Sequence, residues 1–180
     1  MNKDDLSFKE AKLFAEELFI AGVESTGNAL SFLVYHLARN PRVQQTLYKE
    51  IMCHMPDDGQ VSASALSNLP YLKACVKESL RLSPPVTGTV RITTTDMRLS
   101  GHAVPQGFVV NTGSDVICHL EEYFHRPMEY IPERWLGEAR SRIVPFSFIP
   151  FGHGARMCIG RRFAEQELIM AAMTVCAGHL

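Results

Sequence analysis

Phe151-Gly152-His153-Gly154-Ala155-Arg156-Met157-Cys158-Ile159-Gly160, close to the end of a chain of 180 residues, is the stretch on which the reading of the fold turns. Glycines at 152, 154 and 160 allow sharp turns and close backbone approach. A helical pattern begins at about Gly160, so Cys158 stands just before a helix N-terminus. The free N–H groups and positive partial charge there favour a thiolate over a thiol. Arg156 adds a cation suited to an anionic cofactor group. A solitary cysteine is ordinarily a small buried apolar side chain, so its surroundings decide.

Upstream of the loop lies a proline-rich stretch with Pro127, Pro132, Pro145 and Pro150; downstream, the last helix runs to Leu180. At the other end, Ser7 and Glu10 form a capping-box pattern with no proline until Pro41, which predicts one helix from Phe8 to Asn40, about 50 Å long. Its middle, Ala21-Gly22-Val23-Glu24-Ser25-Thr26-Gly27, is poor helix-forming sequence and needs tertiary support or a functional reason. Pro41 suits the first turn of a second helix to about Met55, closed by Pro56-Asp57-Asp58-Gly59. Pro70 opens a third, through Tyr71 to Leu82, stopped by Pro84-Pro85. Short β-rich pieces follow, Val90 to Thr93 and Phe108 to Val110, separated by turns at Gly101 and Gln106-Gly107. The architecture expected is mainly α with a small β region, without internal repeats.

Hydrophobic residues make up 46% and charged residues 21%, the balance of a globular chain. A net charge of -1 gives no bulk pull toward nucleic acid. No uninterrupted apolar run reaches the roughly 18 residues of a membrane span, the best being Leu18 to Val23. The first residues carry no targeting pattern, so any address or anchor would have to lie upstream of Met1. Five scattered cysteines without a C-x-x-C pair argue against a disulfide framework or structural zinc, and for a reducing compartment or organelle matrix.

The cysteine loop resembles the haem-binding signature of the cytochrome P-450 superfamily, F-x-x-G-x-R-x-C-x-G, at every fixed position. Chance produces such a match at on the order of one in a few million starting points. Further motifs occur in family order. Glu78-Ser79-Leu80-Arg81 matches E-x-x-R, which alone would be an ordinary helix-surface pair. Tyr130-Ile131-Pro132-Glu133-Arg134-Trp135 looks like the P-E-R-[FW] segment. Ala21-Gly22-Val23-Glu24-Ser25-Thr26 resembles the oxygen-activation motif [AG]-G-x-[DE]-T-[TS], with Ser25 where threonine is usual. That departure keeps the hydroxyl but loses the methyl that restricts its rotamer.

The resemblance implies the C-terminal portion of the P-450 fold, incomplete at both ends, with residues 1–180 forming one partial domain. It implies haem b with Cys158 as axial thiolate, Arg91 at a propionate, and Arg156 and Phe151 among the cofactor-binding residues of the loop. Glu78, Arg81 and Arg134 would form a structural triad, and Glu24, Ser25 and Thr26 would deliver protons to bound dioxygen. The function implied is insertion of one oxygen atom from O2 into a lipophilic, sterol-like substrate. Alternatives are an oxygen-independent rearranging member, against which Glu24-Ser25 counts, and a truncated fragment unable to hold haem. Lys73 and Lys77 on the third helix, with Arg161 and Arg162 after the loop, look like the mitochondrial branch, where such residues dock an acidic ferredoxin. This places the protein at the matrix side of the mitochondrial inner membrane, with membrane contact through an N-terminal part. The runner-up is an endoplasmic-reticulum member served by a flavin reductase.

Overall fold

The computed structural model describes residues 6–54 and 68–179, with side chains to Cys176. Helix α1 (Phe8–Arg39) starts on the expected reciprocal cap: the Ser7 hydroxyl accepts the Glu10 amide at 3.3 Å, and the Glu10 carboxylate accepts the Ser7 amide at 2.9 Å. The helix runs unbroken through Ala21–Gly27. Ser25 and Ser31 turn their hydroxyls back onto the carbonyls of Ala21 (2.7 Å) and Gly27 (2.9 Å), so these polar groups stay satisfied inside the helix. Asn40 stands just outside as the C-cap, its side-chain amide donating to the His36 carbonyl at 2.7 Å. By length and composition α1 could cross a membrane, with a mean hydropathy of 1.2 in its most apolar window. Ala29, Leu33 and Leu37 nonetheless seat its second half in the protein core.

Pro41 then begins α2 (Pro41–His54), whose Val43, Leu47 and Ile51 recur on one buried face. Met55 and the turn from Pro56 to Gly59 lie outside the described residues. Helix α3 (Pro70–Leu82) has no side-chain cap of its own. Glu50 of α2 supplies one, its two carboxylate oxygens accepting the amides of Tyr71 (2.7 Å) and Leu72 (2.8 Å). A carboxylate on orphan donors at a helix N-terminus is stabilising by about 0.5–2 kcal/mol.

Strand β1 (Thr89–Ile92) pairs antiparallel with β4 (Val109–Thr112), Thr89 opposite Thr112 and Ile92 opposite Val109. Gly88 lets them meet: a Cβ there would lie 2.3 Å from the Thr112 carbonyl oxygen. Between them β2 (Met97–Leu99) and β3 (His102–Val104) form a hairpin closed by Ser100 and Gly101, both at positive φ (47° and 84°). That is the mirror-image turn whose twist suits a two-residue hairpin. The hairpin and the short helix α4 (Ser114–Cys118) are additions to the elements expected from sequence. Three-residue strands and a five-residue helix carry too few positions for a periodic signal. Single 3-10 turns at Pro132–Trp135, Gly137–Arg142 and Gly154–Arg156 lead to α5 (Arg161–His179).

The core gathers around α3, where Leu72, Cys75, Val76 and Leu80 meet Leu33 and Leu37 of α1, Leu47 and Ile51 of α2, and Leu168, Ala172, Met173 and Cys176 of α5. Each large side chain so buried contributes roughly 1.5–3 kcal/mol. A second cluster of Ala74, Cys118, Phe124 and Trp135 lies across α3 under the loop region. The fold is mainly helical with two small antiparallel sheets, as the patterning implies.

Candidate functional site

The cysteine loop is held from within by its own backbone. The Cys158 amide donates to the Phe151 carbonyl at 2.9 Å, and the Met157 amide closes the Gly154–Arg156 turn at 3.0 Å. Gly152 (φ 72°) and Gly154 (φ 79°) adopt the left-handed conformation that side chains rarely accept. Cys158 is exposed, three residues before the first turn of α5. At Gly160 a Cβ would come to 4.0 Å from the Cys158 sulfur, an ordinary contact distance. The buried cysteines differ: burial pushes the Cys118 thiol up to about 11 and raises those of Cys75 and Cys176. These three are core thiols, whereas Cys158 is exposed.

Strand β1 reaches this loop, since a Cβ on Gly152 would lie 3.9 Å from the Thr89 methyl. Arg91, on the same strand, is exposed and donates to the Val90 carbonyl at 2.8 Å. Arg156 is exposed, and Phe151 is half-buried under the Arg161 guanidinium at 5.7 Å. Among the described residues no group of three or more His, Cys, Asp or Glu could hold a metal ion. The donor set is a single accessible sulfur with nearby guanidinium groups. It fits a cofactor that brings its own metal ligands and anionic edge and asks for one axial thiolate.

On α3, Glu78 and Arg81 are wholly buried (0% exposed), which sets aside the surface-pair reading of E-x-x-R. Arg81 grips Glu78 with Nε at 3.0 Å and Nη2 at 2.9 Å, and spends its other protons on the carbonyls of Cys118 (2.7 Å), Pro127 (2.6 Å) and Glu129 (3.1 Å). Arg134 adds its Nε to Glu78 at 2.9 Å, so one carboxylate meets both arginines. Sequence reasoning missed two more donors to the same carboxylate: the Trp135 indole at 2.8 Å and the Ile131 amide at 2.9 Å. A buried tryptophan nearly always finds an acceptor for its N–H, which was the available signal. It also missed Tyr130, whose hydroxyl donates to the Cys75 carbonyl at 2.8 Å and whose ring stacks on His36 at 5.0 Å. A buried charge network this fully bonded fixes the segment Pro127–Trp135 against α3.

Glu24 is exposed in the middle of α1, while Ser25 and Thr26 are partly covered. The Ser25 hydroxyl is committed to Ala21 and makes no bond to Glu24. The motif helix and the loop helix, α1 and α5, pack in the same core.

Between α3, the cysteine loop and the start of α5, a cleft of about 630 Å³ brings together Lys73, Lys77 and Arg161. Arg162 is exposed and does not line it. The structure also separates Lys77, half-buried on this cleft, from the fully buried Arg81, which helical geometry alone did not do. Burial holds the Lys77 ammonium below the ordinary lysine range, and the neighbouring cations Arg140, Arg161 and Lys73 add to it against the pull of Glu165.

The family model described as cytochrome P450 matches residues 1–176. The chain is 44% identical over 169 residues to the mitochondrial 1,25-dihydroxyvitamin D(3) 24-hydroxylase of Mus musculus, covering 94% of this chain and 33% of the relative. It is 44% identical over 156 residues to the mitochondrial cytochrome P450 302a1 of Drosophila melanogaster, covering 86% and 32%. With the probable mitochondrial cytochrome P450 12a5 of the same fly it shares 39% over 172 residues, covering 89% and 32%. The chain therefore spans about a third of the length of the curated relatives it matches.

Proposed function

Because the chain belongs to the cytochrome P450 family, we propose that it is part of a longer haem-thiolate monooxygenase that inserts one atom of O2 into a lipophilic, sterol-like substrate. The observation that carries this reading is Cys158, exposed on a glycine-shaped turn and backed by the buried Glu78 network. Cys158 would hold the iron of haem b through its thiolate, with Arg156 and Arg91 as partners for its propionates and Phe151 packing in the loop. Bound there, haem would supply the oxygen activation.

This chain's own work is positional and protonic. The left-handed glycines hold the sulfur outward, and the three residues Glu78, Arg81 and Arg134 keep the supporting loop rigid. Gly22, where a Cβ would meet nothing within 4 Å, leaves open space on α1 beside the hydroxyl pair. Glu24, Ser25 and Thr26 would pass protons along that face, Ser25 by turning its hydroxyl away from the Ala21 carbonyl. The sterol-like substrate class is supported by a relative whose name makes it a vitamin D(3) 24-hydroxylase.

Localisation at the matrix side of the mitochondrial inner membrane is supported by relatives whose names are mitochondrial; reduction by a ferredoxin docking at Lys73, Lys77, Arg161 and Arg162 is supported by three of these cations, Lys73, Lys77 and Arg161, meeting in one cleft. Residues 1–180 would be a partial domain, since the apolar first half of α1 lies bare (Phe8 87% and Phe19 73% exposed) and calls for further chain.

The test is the ferrous carbon monoxide spectrum of the full-length protein. Cys158→Ala abolishes the thiolate-type Soret band; retention of the band would assign the iron to another residue.

A further inference from the structure

His36 lies where three parts of the fold meet. Its Nε2 and the hydroxyl of Ser83, the C-cap of α3, are 3.0 Å apart. Its ring lies flat on Tyr130, the centroids 5.0 Å apart and the planes 6° from parallel. Its carbonyl accepts the Asn40 side-chain amide at 2.7 Å, which ties down the backbone beneath the ring. Resting on the monooxygenase reading above, we infer that His36 is a positioning residue for that reaction: its neutral ring holds α1, which carries Glu24, Ser25 and Thr26, at a fixed setting against α3 and the strand that meets the cysteine loop.

The first contact leads to that strand. Ser83 stands directly before Pro84-Pro85 and the run into β1, and β1 reaches Gly152 through Thr89. The second leads to the buried network: Tyr130 donates to the Cys75 carbonyl at 2.8 Å, and its neighbour Ile131 gives its amide to Glu78. On α1 itself Ala29, Leu33 and Leu37 supply burial, which is non-directional. The bond to Ser83 has direction. Among the described residues it is the one hydrogen bond from an α1 side chain to a residue beyond the helix and its caps. The helix is unbroken from Phe8 to Arg39, so a setting fixed at His36 is carried to Ser25, about 16 Å away at 1.5 Å per residue.

Protonation works against this clasp. Burial holds His36 below the ordinary imidazole range; the Glu78 carboxylate pulls the other way, and Arg81 and Arg39 push further down. Glu78 is already bonded to Arg81, Arg134, Trp135 and Ile131, and burial keeps the Tyr130 hydroxyl uncharged. A proton on the ring therefore joins two guanidinium groups in a half-buried seam, and the carboxylate facing it is spent.

The experiment uses the full-length protein with haem in the ferrous state and carbon monoxide as the probe. The rate of carbon monoxide rebinding after a light flash reads the space between α1 and the iron. Hydrogen exchange of peptides over Ser83 and Tyr130, corrected for the intrinsic effect of pH, reads the clasp itself. In the parent both hold steady above about pH 6.5 and rise together as pH falls below it. His36→Gln, whose amide keeps the Ser83 bond and stays neutral, matches the parent's high-pH values throughout. His36→Ala rebinds fast at every pH with its thiolate-type band intact. A pH step that survives in His36→Gln overturns the inference, as does a His36→Ala rate equal to the parent's. If His36→Ala loses the band, Ser83→Ala, which removes only the hydroxyl, decides: parent-like rebinding and exchange overturn the inference, and raised values uphold it. A parent without any thiolate-type band sinks the monooxygenase reading itself, and the inference with it.

Discussion

Helices α1 and α3 each carry a motif with an acid near its centre, yet they stand at opposite extremes of burial. Nine residues of α3 are buried, Glu78 and Arg81 among them, whereas every residue from Leu6 to Glu24 is exposed. The contrast is sharpest in two helical ion pairs. Lys12 and Glu16 of α1 meet at 3.8 Å with side chains 65% and 57% exposed; Glu78 and Arg81 of α3 meet at 2.9 Å at 0%. Spacing on a helix is nearly the same in both, and the surroundings differ entirely. α3 finds its partners within this chain, while the first half of α1 lies exposed along its length.

The largest effect that can break this contrast is loss of the fold itself. Produced alone, residues 1–180 show no cooperative unfolding in calorimetry and take up no stoichiometric thiolate-ligated haem. Each exposed Phe14, Leu18, Phe19 or Ile20 forfeits roughly 1.5–3 kcal/mol of burial, against a whole-protein stability of about 5–15 kcal/mol. A sharp transition would mean that α1 needs no cover. Next comes the pair itself: in the full-length protein Glu78→Ala costs about 3–5 kcal/mol in denaturant titration, because Arg81 is left buried without its counter-charge. Glu16→Ala costs under about 1 kcal/mol. Equal losses would erase the distinction.

Ser25→Ala tests α1 for function in place of stability. A general acid–base group is worth about 10²–10⁴-fold, so peroxide released per reductant consumed rises clearly, while Ser25→Thr couples as well as the parent or better. Unaltered coupling in Ser25→Ala would move the relay to Thr26. A smaller effect is expected at the base of α3: Glu50→Gln, which keeps one acceptor but removes the charge, loses about 1 kcal/mol and Glu50→Ala somewhat more. If neither lowers the denaturation midpoint, α3 needs no cap from α2.

The smallest effect lies where α1 finally becomes buried. His36 donates or accepts against Ser83 at 3.0 Å, stacks on Tyr130, and is held below the ordinary imidazole range chiefly by burial, with Arg81 and Arg39 adding and Glu78 opposing. The unfolded chain therefore protonates first as pH falls through about 6.5, and stability declines through and below that window. His36→Gln flattens that decline relative to the parent; identical profiles would show that burial there leaves the ring's titration unchanged.

What was legible in the sequence was whatever is local. Ser7 with Glu10, Pro41 and Pro70 mark helix starts because caps and proline act within a turn. The cysteine loop was legible because left-handed positions at 152 and 154 demand glycine. Distance hid the rest. Trp135 meets Glu78 across 57 positions, and Glu50 caps a helix 21 positions away. Neither spacing belongs to any helical or strand period. Lys77 and Arg81 look alike on a helical wheel; only the chain that packs over Arg81 makes one a buried anchor and the other a cleft cation.

Trp135 is the sole tryptophan of the 180 residues, and its indole stands between the Glu78 carboxylate, the Phe148 ring at 4.5 Å and the Lys77 ammonium. It is therefore a natural optical probe at a crossing point of this region. An indole beside a fixed negative and a fixed positive charge shifts its emission when either charge moves. Within these 180 residues tryptophan fluorescence reads one side chain, and that side chain touches both the buried Glu78 network and the basic cleft. Seating of a partner in the cleft and loosening of the network below it would leave separate marks on the same band, without a label or a mutation.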